Sequence, residues 1–200
     1  MKPLIIDNLL PKPVEQSIFD MVTGSSFPWT HHRYSVSSKD LSQHFYTNEP
    51  VKDHTQFRHG FAKHDEITSE YYNYIQLLAL GFEGRTGLQT KGKYRIKANL
   101  LVKQDGPVLQ PPHVDCMDML DGNTDCLNYK TLLYYINDSD GDTIFYNEYF
   151  TGEPVGLVTE QQRVSPKRGR AVIFDSNQIH SGCCPSINNT RIVINCVFVI

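Results

Sequence analysis

The chain has 200 residues, 40% apolar and 20% charged, enough for a sizeable core in one domain and cramped for two. A formal charge of −3 and an isoelectric point near 6.2 argue against the basic surface of a duplex-binding protein. No run approaches the ~20 apolar residues of a membrane span, and MKPLIIDNLL meets Asp7 too early for a signal peptide. The five cysteines are therefore expected to be reduced thiols in a cytoplasmic protein.

Pro13 opens the first predicted helix, where Val14, Ile18, Met21 and Val22 share a face that ends near Gly24. Residues 29–66 hold most of the histidines and few apolar runs, and are expected to be loops. A second helix is expected to start at Thr68 or Ser69, either able to cap it, and to run to about Phe82 before Gly84 and Gly87. From Lys93 the period turns extended: YRIKANLLV, YKTLLYYI, DTIFY, RAVIF and RIVINCVFVI are short and rich in β-branched and aromatic residues. DSDGD and PKRGR are the clearest turns, with glycines able to take positive φ. YKTLLYYI and RIVINCVFVI are almost continuously apolar, as when both faces of a sheet are covered. The expected class is mainly β with packing helices (α+β): a double-stranded β-helix, or jelly-roll barrel, with N-terminal helices. Helical support and loops would fill 1–90 and the jelly-roll core 91–200, within a single domain.

The stretch QPPHVDC carries the first chemical signal. In an extended segment residues i and i+2 face one side, so His113 and Asp115 can chelate one ion while Val114 and Cys116 point away. After residue 113 only one histidine remains, His180 in SNQIHSG. Two histidines and a carboxylate on one face of a divalent ion leave the opposite positions open, the arrangement of non-haem Fe(II) oxygenases. Zinc would accept these ligands, but structural zinc prefers four, usually with cysteine. A His-x-Asp pair alone arises easily by chance. Arg191 adds weight, because an arginine heading an apolar strand is costly to bury unless an anion meets it, and its planar fork suits a carboxylate. The alternative is that Arg191 reaches water at the strand's edge. His54, His59 and His64 recur every five residues, which fits neither a helix face nor a strand face, so no second metal site is expected. Gln56, Arg58 and His59 are candidate substrate contacts on a loop near the site mouth. The acidic stretch 115–125 is either a gate or a solvated connection, and Trp29 is expected to plug the core under the first helix.

Taken in order, HVD, TLLYYIN, GDTIF, SPKRGRAVIFDSNQIHSG and RIVINCVF resemble the Fe(II)/2-oxoglutarate-dependent dioxygenase superfamily, in particular its prolyl 4-hydroxylase-like branch. The opening LIIDNLLPKPVEQSIFDMV is similar to the strand-then-helix start of that branch. The resemblance runs from about residue 4 to 200 and leaves 30–66 unmatched. It implies His113, Asp115 and His180 as iron ligands, and Arg191 as the partner of the distal carboxylate of 2-oxoglutarate. It implies Tyr135 on that same carboxylate (an ordinary core aromatic being the alternative), with Thr131 on the same strand face and Asn195 as a weaker candidate. The implied cofactors are Fe(II), 2-oxoglutarate and O2, with ascorbate as an auxiliary. The implied reaction hydroxylates a C–H bond, in a prolyl or other residue of a polypeptide, releasing succinate and CO2. Two departures stand out: relatives carry a tyrosine about ten residues before the first histidine, where this chain has Lys103, and Arg191 lies slightly farther from His180 than is common. Oxidative demethylation of nucleic-acid bases is the rival enzyme reading, disfavoured by the acidic balance and the lack of a basic, aromatic-interleaved lid. A non-catalytic jelly-roll binding module is the rival of another class. It gives no reason to aim four such residues inward.

Overall fold

A computed structural model describes residues 2–34, 44–116 and 128–200. The first half contains β1 (Leu4–Ile6), α1 (Lys12–Thr23), β2 (Thr30–His32), β3 (Phe45–Tyr46), β4 (Gln56–Lys63), β5 (Glu66–Ile67), α2 (Tyr72–Ile75) and α3 (Leu77–Thr86). The second contains β6 (Gly92–Val102), β7 (Val108–Leu109), β8 (Tyr129–Tyr135), β9 (Thr143–Tyr149), β10 (Gly156–Leu157), β11 (Glu160–Val164), β12 (Ala171–Asp175), β13 (Gln178–Cys184) and β14 (Thr190–Val199).

Two antiparallel sheets face each other as in a jelly roll. The larger has the order β1-β12-β8-β14-β6-β4-β2, with β5 beside β4, and the smaller β11-β9-β13-β7. Strands β3 and β10 pair in parallel apart from both. Alternation along each strand sorts the apolar side chains into three layers. Outward residues of the larger sheet, such as Leu132, Tyr134, Ile194 and Phe198, pack under Ile18 and Val22 of α1 and Leu78 and Phe82 of α3. Inward residues, among them Leu133, Tyr135, Phe145 and Val193, meet between the sheets. The far side of the smaller sheet is covered by Phe45, Leu109, Cys116 and Phe150. Strands β8 and β14 are thus covered on both faces, which is why their sequences are almost continuously apolar.

Several expectations change. The second helix is two, α2 and α3, meeting at Gln76, and it starts at Tyr72 without a side-chain cap. Ser69 is occupied elsewhere: its Oγ accepts from the Tyr71 N–H at 3.1 Å and lies 2.8 Å from His59 Nε2. Helix α3 runs through Gly84 and ends at Gly87, whose φ of 71° is the left-handed cap that glycine takes at little cost. Residues 29–66 are not all loop, since β4 pairs with β6 over most of its length. Gly169 in PKRGR has the expected positive φ of 79°. Gly141 in DSDGD does not, and is needed for closeness instead: a Cβ there would lie 2.5 Å from the Cys183 carbonyl oxygen and 2.9 Å from Arg191 Cδ. Trp29 packs edge-on to Phe27 and donates from Nε1 to the Val22 carbonyl at 3.2 Å.

Among the described residues the expectation of reduced thiols fails at Cys116. Cys183, Cys184 and Cys196 are free and buried, but Cys116 is disulfide-bonded. A cysteine count cannot anticipate this, because pairing depends on which sulfurs the fold brings within reach. Residues 117–125 of the candidate gate lie outside the described residues. Among the described residues no helix is long and apolar enough to cross a membrane.

Candidate metal and co-substrate site

Strand β13 carries His180 on its inner face, opposite Phe145 of β9. His113 lies outside any named strand, in an isolated bridge to His180 closed by reciprocal N–H to carbonyl bonds of 2.9 and 3.0 Å. Two residues on, the Asp115 N–H donates to the Ser176 carbonyl at 3.0 Å. These bonds hold both residues inward, while Val114 and Cys116 join the outer apolar cluster. One ligand atom from each of His113, Asp115 and His180 lies within 4.8 Å of the others.

The donor set suits a divalent cation. His113 Nδ1 is 3.2 Å from the Pro111 carbonyl, and His180 Nδ1 is 2.9 Å from the Gln178 carbonyl. A carbonyl oxygen only accepts, so each Nδ1 carries the proton and a neutral ring presents its Nε2 lone pair. Burial keeps both imidazoles neutral, lowering His113 to about 3 and His180 below its ordinary range; at His113 the neighbouring His180 adds to the effect. Burial opposes charge on Asp115 too, but the Arg95 guanidinium beside it pulls the other way, and that carboxyl lies below its usual range. Asp115 Oδ1 accepts from Arg95 Nη2 at 3.1 Å, and Oδ2 accepts from Thr131 Oγ1 at 3.0 Å and Asn195 Nδ2 at 2.9 Å. A carboxylate has about four lone-pair sites, so three donors leave one for a metal.

The three residues line a cavity that Arg191 also lines. Arg191 is 5% exposed, so the edge-of-strand alternative does not hold. Its Nε donates to the Gly141 carbonyl at 2.7 Å and its Nη2 to Thr143 Oγ1 at 2.6 Å. Nη1 makes no hydrogen bond among the described residues and remains for a ligand. Tyr135 and Thr131 face inward as the period requires, but neither lines the cavity. The Tyr135 hydroxyl lies 2.7 Å from Thr143 Oγ1, behind the guanidinium, and Thr131 bonds Asp115 and Ser176. Asn195 likewise serves Asp115. Of the loop candidates, Gln56 lines the cavity and Arg58 Nη2 donates to the Tyr34 carbonyl at 3.2 Å. His59 turns to the helix side, where its ring packs on Phe27 and Phe61, and it cannot meet a substrate in this cavity.

The sequence reading missed Lys97 and Asn99, which line the same cavity from β6. The signal was available in YRIKANLLV: Ile96, Ala98 and Leu100 face the helix-covered core, so Arg95, Lys97 and Asn99 must face the other way. Burial holds the Lys97 ammonium well below the ordinary lysine range, with Arg95 and Arg58 pushing the same way.

Residues 105–199 match the model of the 2OG-Fe(II) oxygenase superfamily. This stretch belongs to that superfamily. The match spans His113, Asp115, His180 and Arg191, and the cofactors of the family are Fe(II) and 2-oxoglutarate. No curated protein is similar enough in sequence to match. Solved structures share the oxygenase's fold at low identity. One is the non-haem α-ketoglutarate-dependent epimerase SnoN from nogalamycin biosynthesis, at 12% identity over 98% of this chain and 77% of that one, TM-score 0.61. A Trichoplax adhaerens prolyl hydroxylase, solved with a hypoxia-inducible-factor peptide, is 14% identical over 98% and 83%, TM-score 0.60. A Pseudomonas putida prolyl 4-hydroxylase is 12% identical over 99% and 92%, TM-score 0.55.

Proposed function

We propose that this oxygenase is a hydroxylase of the prolyl 4-hydroxylase-like branch, acting on an aliphatic C–H bond in a prolyl or other residue of a polypeptide. What supports the reading is the convergence of His113, Asp115 and His180 within 4.8 Å, in a cavity that Arg191 also lines. In this assignment the two Nε2 atoms and one Asp115 oxygen hold Fe(II), and Arg191 Nη1 meets the distal carboxylate of 2-oxoglutarate. When bound, the ion, 2-oxoglutarate and O2 supply the oxidising power: one oxygen atom enters the C–H bond, the other leaves in succinate, and CO2 is released.

The chain's own part is positioning and exclusion of water. Pro111 and Gln178 carbonyls orient the imidazoles, and Arg95, Thr131 and Asn195 fix the carboxylate. Gly141 and Thr143 aim the guanidinium, and Tyr135 braces Thr143 from behind. Leu101, Leu133 and Val193 give the cavity apolar walls. A cytoplasmic setting belongs to the same reading, and the Cys116 disulfide is the feature that pulls against it.

The test is succinate formation by the purified chain with added Fe(II) and 2-oxoglutarate, together with thermal shift by Mn(II) and 2-oxoglutarate. The expected result is slow succinate release without added substrate and a joint rise in Tm, both abolished by His113→Ala. A clean preparation that forms no succinate and shows no joint stabilisation would overturn the assignment.

A further inference from the structure

The oxygenase reading leaves one cavity charge unused. Lys97 lines the cavity and makes no hydrogen bond or ion pair among the described residues. Among the described residues Asp115 is the only acidic one in the lining, and its oxygens are already engaged by Arg95, Thr131 and Asn195. On the proposed assignment the divalent ion and the dianionic co-substrate cancel, Asp115 and Arg191 cancel, and the Lys97 ammonium remains. Its neighbours deepen the imbalance. Arg95 lies on the same face of β6, and Arg58 of β4 is paired opposite Asn99. A cation held in a cavity without a counter-charge is costly, so the amine gives up its proton more readily while the cavity is empty, and an anionic ligand restores the ammonium and removes the cost.

Lys97 is also placed to serve a different ligand from Arg191. Across the β6–β14 ladder, Lys97 pairs with Asn195 and Leu101 with Arg191, four residues apart or roughly 13 Å along the strands. Asn99, between them on the same face, has its Oδ1 buried without a hydrogen-bond partner, an acceptor for a hydroxyl or N–H of whatever enters. Gly60, opposite Lys97, leaves room: a Cβ there would meet nothing nearer than Thr68 Oγ1 at 3.9 Å.

We infer that the substrate of this oxygenase carries a carboxylate, which Lys97 binds beside the metal while Arg191 holds 2-oxoglutarate. The inference rests on the oxygenase reading and makes its substrate acidic: an aspartyl or glutamyl side chain if that substrate is a polypeptide, a small carboxylic acid if it is not.

The probe is [13C-carboxyl]acetate, whose carboxyl carbon relaxes faster when held near Mn(II) in the protein loaded with Mn(II) and 2-oxoglutarate. Relaxation enhancement is expected for the wild type and for Lys97→Arg, and is expected to vanish in Lys97→Met and Lys97→Gln. The 2-oxoglutarate Kd should stay within about threefold throughout. Labelled acetamide is expected to show no enhancement. An acetyl-Gly-Asp-Gly amide labelled at the Asp carboxyl separates the sources: enhancement there favours an acidic peptide, and enhancement of acetate alone a small acid. Equal enhancement in Lys97→Met, or by acetamide, overturns the proposal. So does a loss of 2-oxoglutarate affinity of about tenfold or more in Lys97→Met, which would give Lys97 to the co-substrate. A wild type that takes up neither Mn(II) nor 2-oxoglutarate brings down the oxygenase reading itself, and is told apart by the Mn(II) signal before any acetate is added.

Discussion

Asp115 shows how much of a metal site lies behind its ligands. Its Oδ2 accepts from Thr131 and Asn195, two buried side chains that touch no cavity ligand through that bond. Removing either donor frees the carboxylate to rotate. Thr131→Val and Asn195→Ala are each expected to weaken Mn(II) binding by about tenfold, measured by Mn(II) titration, with the fold retained. An unchanged affinity in the variant carrying both substitutions would mean that Arg95 alone fixes the carboxylate. At the opposite end, Gly141→Ala would push a methyl against Arg191 Cδ and the Cys183 carbonyl. It should abolish stabilisation by 2-oxoglutarate while leaving that by Mn(II), read as separate Tm shifts. How much of this was legible follows from what each residue must do. His113, Asp115, His180 and Arg191 could be picked out because a histidine–carboxylate set and an arginine in an apolar strand are costly unless used. Thr131 and Tyr135 were picked out for 2-oxoglutarate, and the structure instead spends their hydroxyls on Asp115 and Thr143. Spacing gives the face of a strand, not the partner waiting on it.

Strand β4 illustrates the opposite failure. Its sequence QFRHGFAK reads as polar loop because its site-facing residues are Gln56, Arg58 and Gly60, while Phe57, His59 and Phe61 alternate to the other face. The hydrophobic rule fails on a strand whose inner face is a polar cavity. Strand β1 was easier to see and is harder to keep in place: only three residues pair it to β12. Asp7 at its end clamps it, with Oδ1 accepting from Arg170 Nε at 2.6 Å and Oδ2 from Lys167 Nζ at 3.3 Å. The bond to Arg170, with Lys167 helping against some burial, lowers the Asp7 carboxyl from the ordinary 3.8 to about 2. A carboxyl depressed in the folded state stabilises above its ordinary pKa, and that stability is lost as pH falls from about 4 toward about 2. The Tm of Asp7→Asn should therefore fall less steeply than that of the wild type across this window. The difference should amount to less than about 1 kcal/mol, because solvent screens the cluster. Parallel pH profiles would show that the clamp contributes nothing.

Whether residues 1–90 form part of one domain with the rest is decided by what they cover. The outer face of β14 packs on α3, with Phe82 and Phe198 ring centroids 5.2 Å apart, while its inner face carries Arg191 and Asn195. Strand β4 extends the same sheet through β6, and β1 closes its other edge on β12. Detaching the first half would expose the apolar outer face of the sheet that positions the site, so we propose that the chain unfolds as one unit. The single tryptophan, Trp29, reports on the first half, and amide hydrogen exchange along β8, β12, β13 and β14, followed against denaturant, reports on the second. The two denaturation curves are expected to superimpose. Phe82→Ala, which empties a fully buried position, should move both together by about 3–5 kcal/mol. It should also lower 2-oxoglutarate affinity, although Phe82 lies on the helix side of the sheet, away from the cavity, because β14 loses the surface that holds Arg191 in register. If Trp29 fluorescence changed first, with the hydrogen-exchange curve and 2-oxoglutarate binding left intact, the first half would be an accessory layer. The site would then depend on the jelly roll alone.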